Sequence, residues 1–340
     1  MTLRWPLAST EADATLFEDE RAATRHVGKG AYQGLEFLHV NARTIINAVP
    51  AQSLMPFGYT INAYRGCSHA CTYCFARPTH EYLGLDIGSD FERRIVVKIN
   101  AVERLAAELG SAKWAGEAIA MGTNTDPYQH AEGKYHLTRG IIGVLAQARN
   151  PFSLLTKSTL ILRDTKALVA AGERTEVSVS FSIGTLDREV WRLTEPGTPP
   201  PDKRLDALAR LTEAGISCGV LVAPVLPGLS DRTEQITEVV EACARAGATS
   251  ISGVALHLRG PMRAHYTDWL RARRPDLADL YERRFSRGAY QPQADRDRVA
   301  ELVATTARRF GVSGQNRYQR AQPVQIAPSP QLSLLGPTDP

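Results

Sequence analysis

The chain has 340 residues, 43% of them hydrophobic, with a formal net charge of +4. That length can bury a large core and suits one barrel-sized domain or two smaller ones. No run of about 18 apolar residues occurs and the start of the chain lacks an apolar signal stretch, so neither a membrane span nor a secretory leader is expected, and a cytoplasmic location is.

Residues 1–50 show weak periodicity and read as a mostly irregular arm with a short strand at 35–40. Residues 59–64 read as a strand entering a loop with the sequence Cys67-Ser-His-Ala-Cys71-Thr-Tyr-Cys74. From there strands and helices alternate. Strands are expected at 95–99, 118–122, 152–156, 177–183, 218–223 and 251–257, with helices at 101–109, 137–149, 164–172, 203–215 and 234–247. Gly172, Gly215 and Gly247 each follow a predicted helix, as C-terminal caps do. Residues 262–285 and 293–311 read as further helices, and the Pro-, Ser- and Gln-rich end as disordered. The resulting plan is an N-terminal arm (1–50), a core (51–260), a basic helical region (261–320) and a disordered tail (321–340).

Charge is unevenly spread. Residues 259–320 hold 14 arginines against 7 acidic residues, a local +7 that leaves the rest near −3. Such a basic third suits a nucleic-acid partner. A general preference for Arg over Lys, 33 against 7, gives the same excess without one.

Three of the five cysteines lie in the C-x3-C-x2-C stretch. Three neighbouring thiolates cannot complete a four-thiolate set, so a [4Fe–4S] cluster held there keeps one iron open to another ligand. A zinc knuckle completed by His69 or His80 is the alternative. A disulfide framework is not expected from so sparse and odd a number of cysteines. Cys218 and Cys243 sit alone in apolar stretches and read as core.

Alternating strands and helices specify parallel sheet built from βαβ units. A doubly wound nucleotide fold needs a glycine-rich turn after its first strand, and here that place holds cysteines. Setting strand 95–99 aside leaves six units, an open or closed (β/α)6 barrel, whose chemistry gathers at the C-terminal strand ends. Those ends carry the cysteines, then Met121-Gly-Thr-Asn-Thr-Asp126-Pro-Tyr-Gln129, Thr156-Lys157-Ser158, the alternating Ser178, Ser180 and Ser182, Pro227-Gly228, and His257-Leu-Arg259. Asp126 reads either as the cap of its turn or as a substrate-orienting group.

With these segments in view, the chain resembles the radical S-adenosylmethionine (SAM) superfamily, and within it the group related to spore photoproduct lyase. The resemblance spans roughly 56–259 and rests on PFGYTINAYRGCSHACTYCFARPTHEY, TNTDPYQ, TKST, SVSFSIGTLD, RLTEPGTPPPDKRLDAL and APVLPG. It implies an α/β fold with a partial (β/α)6 TIM-like radical SAM barrel, in which Cys67, Cys71 and Cys74 hold a [4Fe–4S] cluster. SAM would chelate the open iron, and its one-electron cleavage would give a 5′-deoxyadenosyl radical that abstracts hydrogen from the substrate. It further implies Tyr73 near the adenine, Gly122, Thr123 and Thr125 at the methionine amine, Lys157 at the carboxylate and Ser180 at the ribose. Tyr73 and Asp126 are the catalytic candidates, and flavodoxin or ferredoxin is the implied electron donor.

The lyase relatives carry a hydrogen-donating cysteine where this chain has Thr123, and a tyrosine where it has Phe75. A Thr O–H bond is too strong to replace that thiol, and Cys218 is expected at the opposite face of the barrel. Repair of spore photoproduct itself is therefore not the expected reaction. In the tail, Gln331-Leu-Ser-Leu-Leu335 resembles the short peptide by which bacterial replication and repair proteins dock on the DNA sliding clamp. Three readings stay open: a radical SAM enzyme acting on nucleic acid, one acting on a small molecule or protein side chain, and a non-enzymatic metal-binding partner module.

Overall fold

The computed structural model describes residues 24–50, 53 and 55–312. The tail motif Gln331–Leu335, and the disorder expected over 321–340, lie outside them. The strands are β1 (Thr24–Val27), β2 (Glu36–Val40), β3 (Ile46–Ala48), β4 (Tyr59–Ile61), β5 (Tyr64–Arg65), β6 (Arg94–Lys98), β7 (Ile119–Met121), β8 (Phe152–Thr156), β9 (Val177–Ser182), β10 (Ser217–Val225) and β11 (Ser250–Ala255). The helices are α1 (Ser89–Arg93), α2 (Ala101–Leu109), α3 (Glu132–Tyr135), α4 (Leu137–Gln147), α5 (Thr165–Gly172), α6 (Arg188–Thr194), α7 (Pro201–Glu213), α8 (Thr233–Arg245), α9 (Met262–Arg273), α10 (Ala278–Arg284) and α11 (Gln293–Arg309).

The larger sheet has the order β11-β10-β9-β8-β7-β4-β3. Its six strands from β4 to β11 are parallel and lie in chain order, which gives the six expected units. β3 adds an antiparallel edge. The result is an open partial barrel with β11 at one end and β3 at the other. Alternation along β9 explains its two faces. Val179 and Phe181 are fully buried in the helix-packed core, while Ser178 and Ser180 take the opposite face. The covering helices show the complementary pattern. On α8, Ile236, Val239, Val240 and Cys243 recur at helical spacing and are all buried. α11 lies on β11 so closely that a Cβ at Gly253 would stand 2.7 Å from Val303.

Several sequence expectations need correction. The arm is not mostly irregular over its described part: β1 and β2 pair with β6 and β5 in a second, four-stranded sheet. The strand expected at 59–64 is two strands in different sheets, split at Asn62-Ala63. Gly215 and Gly247 do end their helices in the left-handed region, but Gly172 is the last helical residue of α5 and Glu173 follows at φ −71°. The basic stretch 262–285 is interrupted by a 3-10 turn at Pro275–Leu277, because a residue preceding proline disfavours helix. Helix α6 was not foreseen. Its start is capped by Asp187, whose side chain accepts from Glu189 N and Val190 N.

A candidate active site around the three-cysteine loop

The loop after β5 opens at Gly66, with φ +83°, where a Cβ would meet His80 at 2.8 Å and the Phe91 carbonyl at 2.9 Å. Only glycine lets the chain turn there against the second sheet. Cys67 and Cys71 are buried and Cys74 is half-buried; none is in a disulfide. Cys74 packs on Cys67, Ala76 and Phe91 on one side and against the cluster holding Cys71 and Tyr73 on the other. Burial pushes the Cys67 thiol up strongly and the Cys71 thiol to about 12. A thiolate in such a place would need a positive partner, as a bound metal would supply.

The zinc alternative is not supported. His69 Nδ1 lies 3.3 Å from Asp126 Oδ2, and His80 Nε2 lies 3.0 Å from the Arg94 carbonyl. With both histidines engaged elsewhere, the three thiols lack the fourth protein ligand that a zinc knuckle needs.

Two buried side chains that the sequence reading did not single out hold the loop. Arg77, with no solvent exposure, donates from Nε and Nη2 to the Cys71 carbonyl at 3.0 and 2.9 Å. It also bonds Ile87 O, Gly88 O and Glu92. Gln129, equally buried, accepts from Ser68 N at 3.0 Å and donates to Gly66 O at 2.9 Å. The signal in the sequence was a lone Arg and Gln within quoted motifs, without a spacing rule to mark them.

At the end of β7, Gly122 has φ +91° and passes so near β8 that a Cβ would stand 2.0 Å from the Leu155 carbonyl. Thr123 Oγ1 lies 3.4 Å from Asn62. The Thr125 hydroxyl is spent on the loop, donating to Gly66 O at 2.7 Å. Asp126 is likewise a structural hub. Its carboxylate accepts from Tyr128 N at 2.9 Å, Thr156 Oγ1 at 2.7 Å and Lys157 N at 2.7 Å, with His69 beside it. Burial alone would raise its pKa, yet His69 and these bonds hold it at about 2. Of its two sequence readings, the turn cap is the one these bonds display.

Beyond the cysteines lies a buried polar network. The Tyr73 hydroxyl donates to Glu195, and Arg204 Nη2 donates to the other oxygen of Glu195 and to Thr198. Arg204 also donates to Ser182 O at 3.0 Å and Pro199 O at 2.9 Å. The half-buried Lys157 has its ammonium 5.8 Å over the Tyr73 ring and donates to no side chain among the described residues. Burial would lower its pKa, but Cys71 and Glu195 raise it, so it stays charged. Ser180 faces Gly219 and Ser250 across the sheet: a Cβ at Gly219 would stand 3.2 Å from Ser180 Oγ and 2.6 Å from Ser250 Oγ. Cys218 is fully buried in the helix-facing core near the start of β10, away from this end.

The open barrel thus brings three thiols and an unengaged ammonium to the same end of the sheet. The comparisons agree. The profile of the radical SAM superfamily matches residues 61–249. The Mycobacterium tuberculosis protein Rv2578c is 43% identical over 86% of this chain and 86% of its own length. MJ0683 of Methanocaldococcus jannaschii is 29% identical over 58% of this chain and 70% of its own. Spore photoproduct lyase complexed with dinucleoside spore photoproduct shares the fold at TM-score 0.56 and 20% identity, covering 81% of this chain and 78% of that one. A mutant of that lyase with bound AdoMet and dinucleoside spore photoproduct gives TM-score 0.56 and 21% identity, covering 78% and 75%. The chain belongs to the radical SAM superfamily and is an enzyme. The family uses a [4Fe–4S] cluster and SAM, and needs a reductant. No described helix is long and apolar enough to cross a membrane.

Proposed function

We propose that this enzyme performs radical SAM chemistry on DNA, with Cys67, Cys71 and Cys74 as the cluster ligands. The observation that carries the site is the placement of Lys157. Its charged, unengaged ammonium stands over Tyr73 on the side of the cysteine loop, where a ligand carboxylate would meet it. Ser180, on the solvent-reaching inner face of β9, suits a ribose hydroxyl, and the backbone of Gly122 and Thr123 suits the amino group. When bound, the cluster and SAM supply one-electron cleavage of the sulfonium and a hydrogen-abstracting 5′-deoxyadenosyl radical.

The chain's own part is to bind and to exclude water. Arg77 and Gln129 fix the carbonyls of the cysteine loop, so the thiols keep their places. The Tyr73–Glu195–Arg204 network walls the site with satisfied polar groups. DNA as substrate is supported by the fold shared with a lyase solved with a dinucleoside lesion and by the basic C-terminal third. Thr123 in place of a hydrogen-donating cysteine argues that the reaction is not spore photoproduct repair itself. Recruitment by a sliding clamp through Gln331–Leu335 rests on that sequence motif alone, and flavodoxin or ferredoxin as the reductant on the resemblance.

Anaerobic reconstitution tests the reading. About four irons per chain, SAM cleavage on adding dithionite, and salt-dependent binding of DNA are expected. Iron and SAM cleavage without any DNA binding at low salt would move the substrate to a small molecule or protein side chain. Absence of SAM cleavage by the iron-loaded protein would reject the enzyme reading.

A further inference from the structure

Three aromatic rings form a row across the mouth of the open barrel. Phe75, directly after the third cysteine, lies 5.9 Å from His257, which follows β11; His257 lies 5.7 Å from Tyr290. The interplanar angles are 36° and 30°, so each ring is tilted against the next. The row joins the cysteine loop to the far end of the sheet, since β11 and β4 are separated by four strands. Its location is held by backbone: His257 and Tyr290 form an antiparallel bridge, and Leu258 N donates to Ala289 O at 2.8 Å. Arg259 and Arg296 set their guanidiniums over Tyr290 at 4.9 and 5.4 Å.

A structural plug would bury these rings. Instead Phe75 is 50% and Tyr290 40% exposed, His257 between them is half-buried, and Arg259 is exposed. Two exposed aromatics flanking a half-buried one, with cations beside them, match the face that an unstacked nucleobase seeks: π-surface for the base and positive charge for its phosphates. A purely apolar partner would gain nothing from the arginines.

We propose that Phe75, His257 and Tyr290 form a stacking platform for an unpaired DNA base next to the reacting nucleotide, with Arg259 meeting the adjoining phosphate. This rests on the DNA reading above and adds the surface that seats the strand. Because the platform starts at the residue after Cys74, a base stacked on it holds its neighbour at the cysteine loop.

Fluorescence anisotropy with the anaerobically reconstituted full-length protein tests it, using a short single-stranded oligodeoxynucleotide and an abasic chain of the same length. Phe75→Leu and Tyr290→Leu each keep apolar bulk and should weaken binding of the base-bearing strand by about tenfold, the scale of one lost stack. Neither should change binding of the abasic chain. Arg259→Gln should weaken both strands alike and flatten the salt dependence. Wild-type affinity in both leucine variants overturns the platform while leaving DNA as substrate. Failure of the wild-type protein to bind either strand overturns platform and DNA reading together. Preference for the same sequence as RNA overturns the choice of DNA.

Discussion

Tyr73 donates its phenolic hydroxyl to Glu195, 122 residues further along the chain. The bond ties the cysteine loop to the segment after α6, and Arg204 on α7 closes the network from behind. Both partners of the Arg204–Glu195 ion pair are almost wholly buried, with side chains 1% and 6% exposed. Burial would raise the pKa of Glu195, but Arg204, Lys157 and the Tyr73 hydroxyl hold it below the usual carboxylate range.

The network should therefore fail asymmetrically. Arg204→Met leaves a buried carboxylate without its cation and should cost about 3–5 kcal/mol in denaturant unfolding. Tyr73→Phe removes one hydroxyl donor and should cost about 1–3 kcal/mol. The double variant Arg204→Met with Glu195→Leu should recover much of the first loss, because no uncompensated charge remains. Equal losses in the single and double variants would show that packing, not charge, is at stake.

The ligand assignments make separate claims about iron and SAM. Any one of Cys67→Ala, Cys71→Ala and Cys74→Ala should remove the brown absorbance of the reconstituted protein and its SAM cleavage. Full iron in any of the three would sink that assignment.

Lys157→Ala should keep the iron and weaken SAM binding by ~1.5–3 kcal/mol, the scale of a charge-assisted hydrogen bond. Ser180→Ala should also keep the iron and weaken SAM binding, as a lost neutral hydrogen bond of about 1 kcal/mol. Equilibrium binding on the iron-loaded protein measures both. Unchanged affinity in both variants would place the ligand elsewhere.

Much of this arrangement was legible before any coordinates. The β-strand at 152–156 and the helix at 101–109 were read to the residue, because each is a periodic run bounded by clear breakers. The cysteine loop was legible from spacing alone. What escaped was set by contacts far apart in sequence. The pairing of β1 and β2 with β6 has no local signature, since short edge strands draw their stability from partners. Arg77, Gln129, Glu195 and Arg204 looked like ordinary polar residues, and only their complete burial marks them as the loop's supports. Asp126 shows the converse: a conspicuous carboxylate in a motif, with every oxygen occupied by its own turn and the end of β8.

His80 supplies a pH dependence with a definite sign. It is fully buried, and burial lowers its pKa from 6.5 to about 4. The folded protein thus keeps the ring neutral while the unfolded chain protonates it near 6.5, so the unfolded state binds the extra proton between those values. Stability should be constant with respect to this group above pH 6.5 and should fall as the pH drops from 6.5 toward 4, by about 3 kcal/mol in all. His80→Gln keeps an N–H for the Arg94 carbonyl but does not titrate. Urea midpoints across that range should therefore slope for the wild type and flatten for the variant. An identical slope in both would assign the acid sensitivity to other groups.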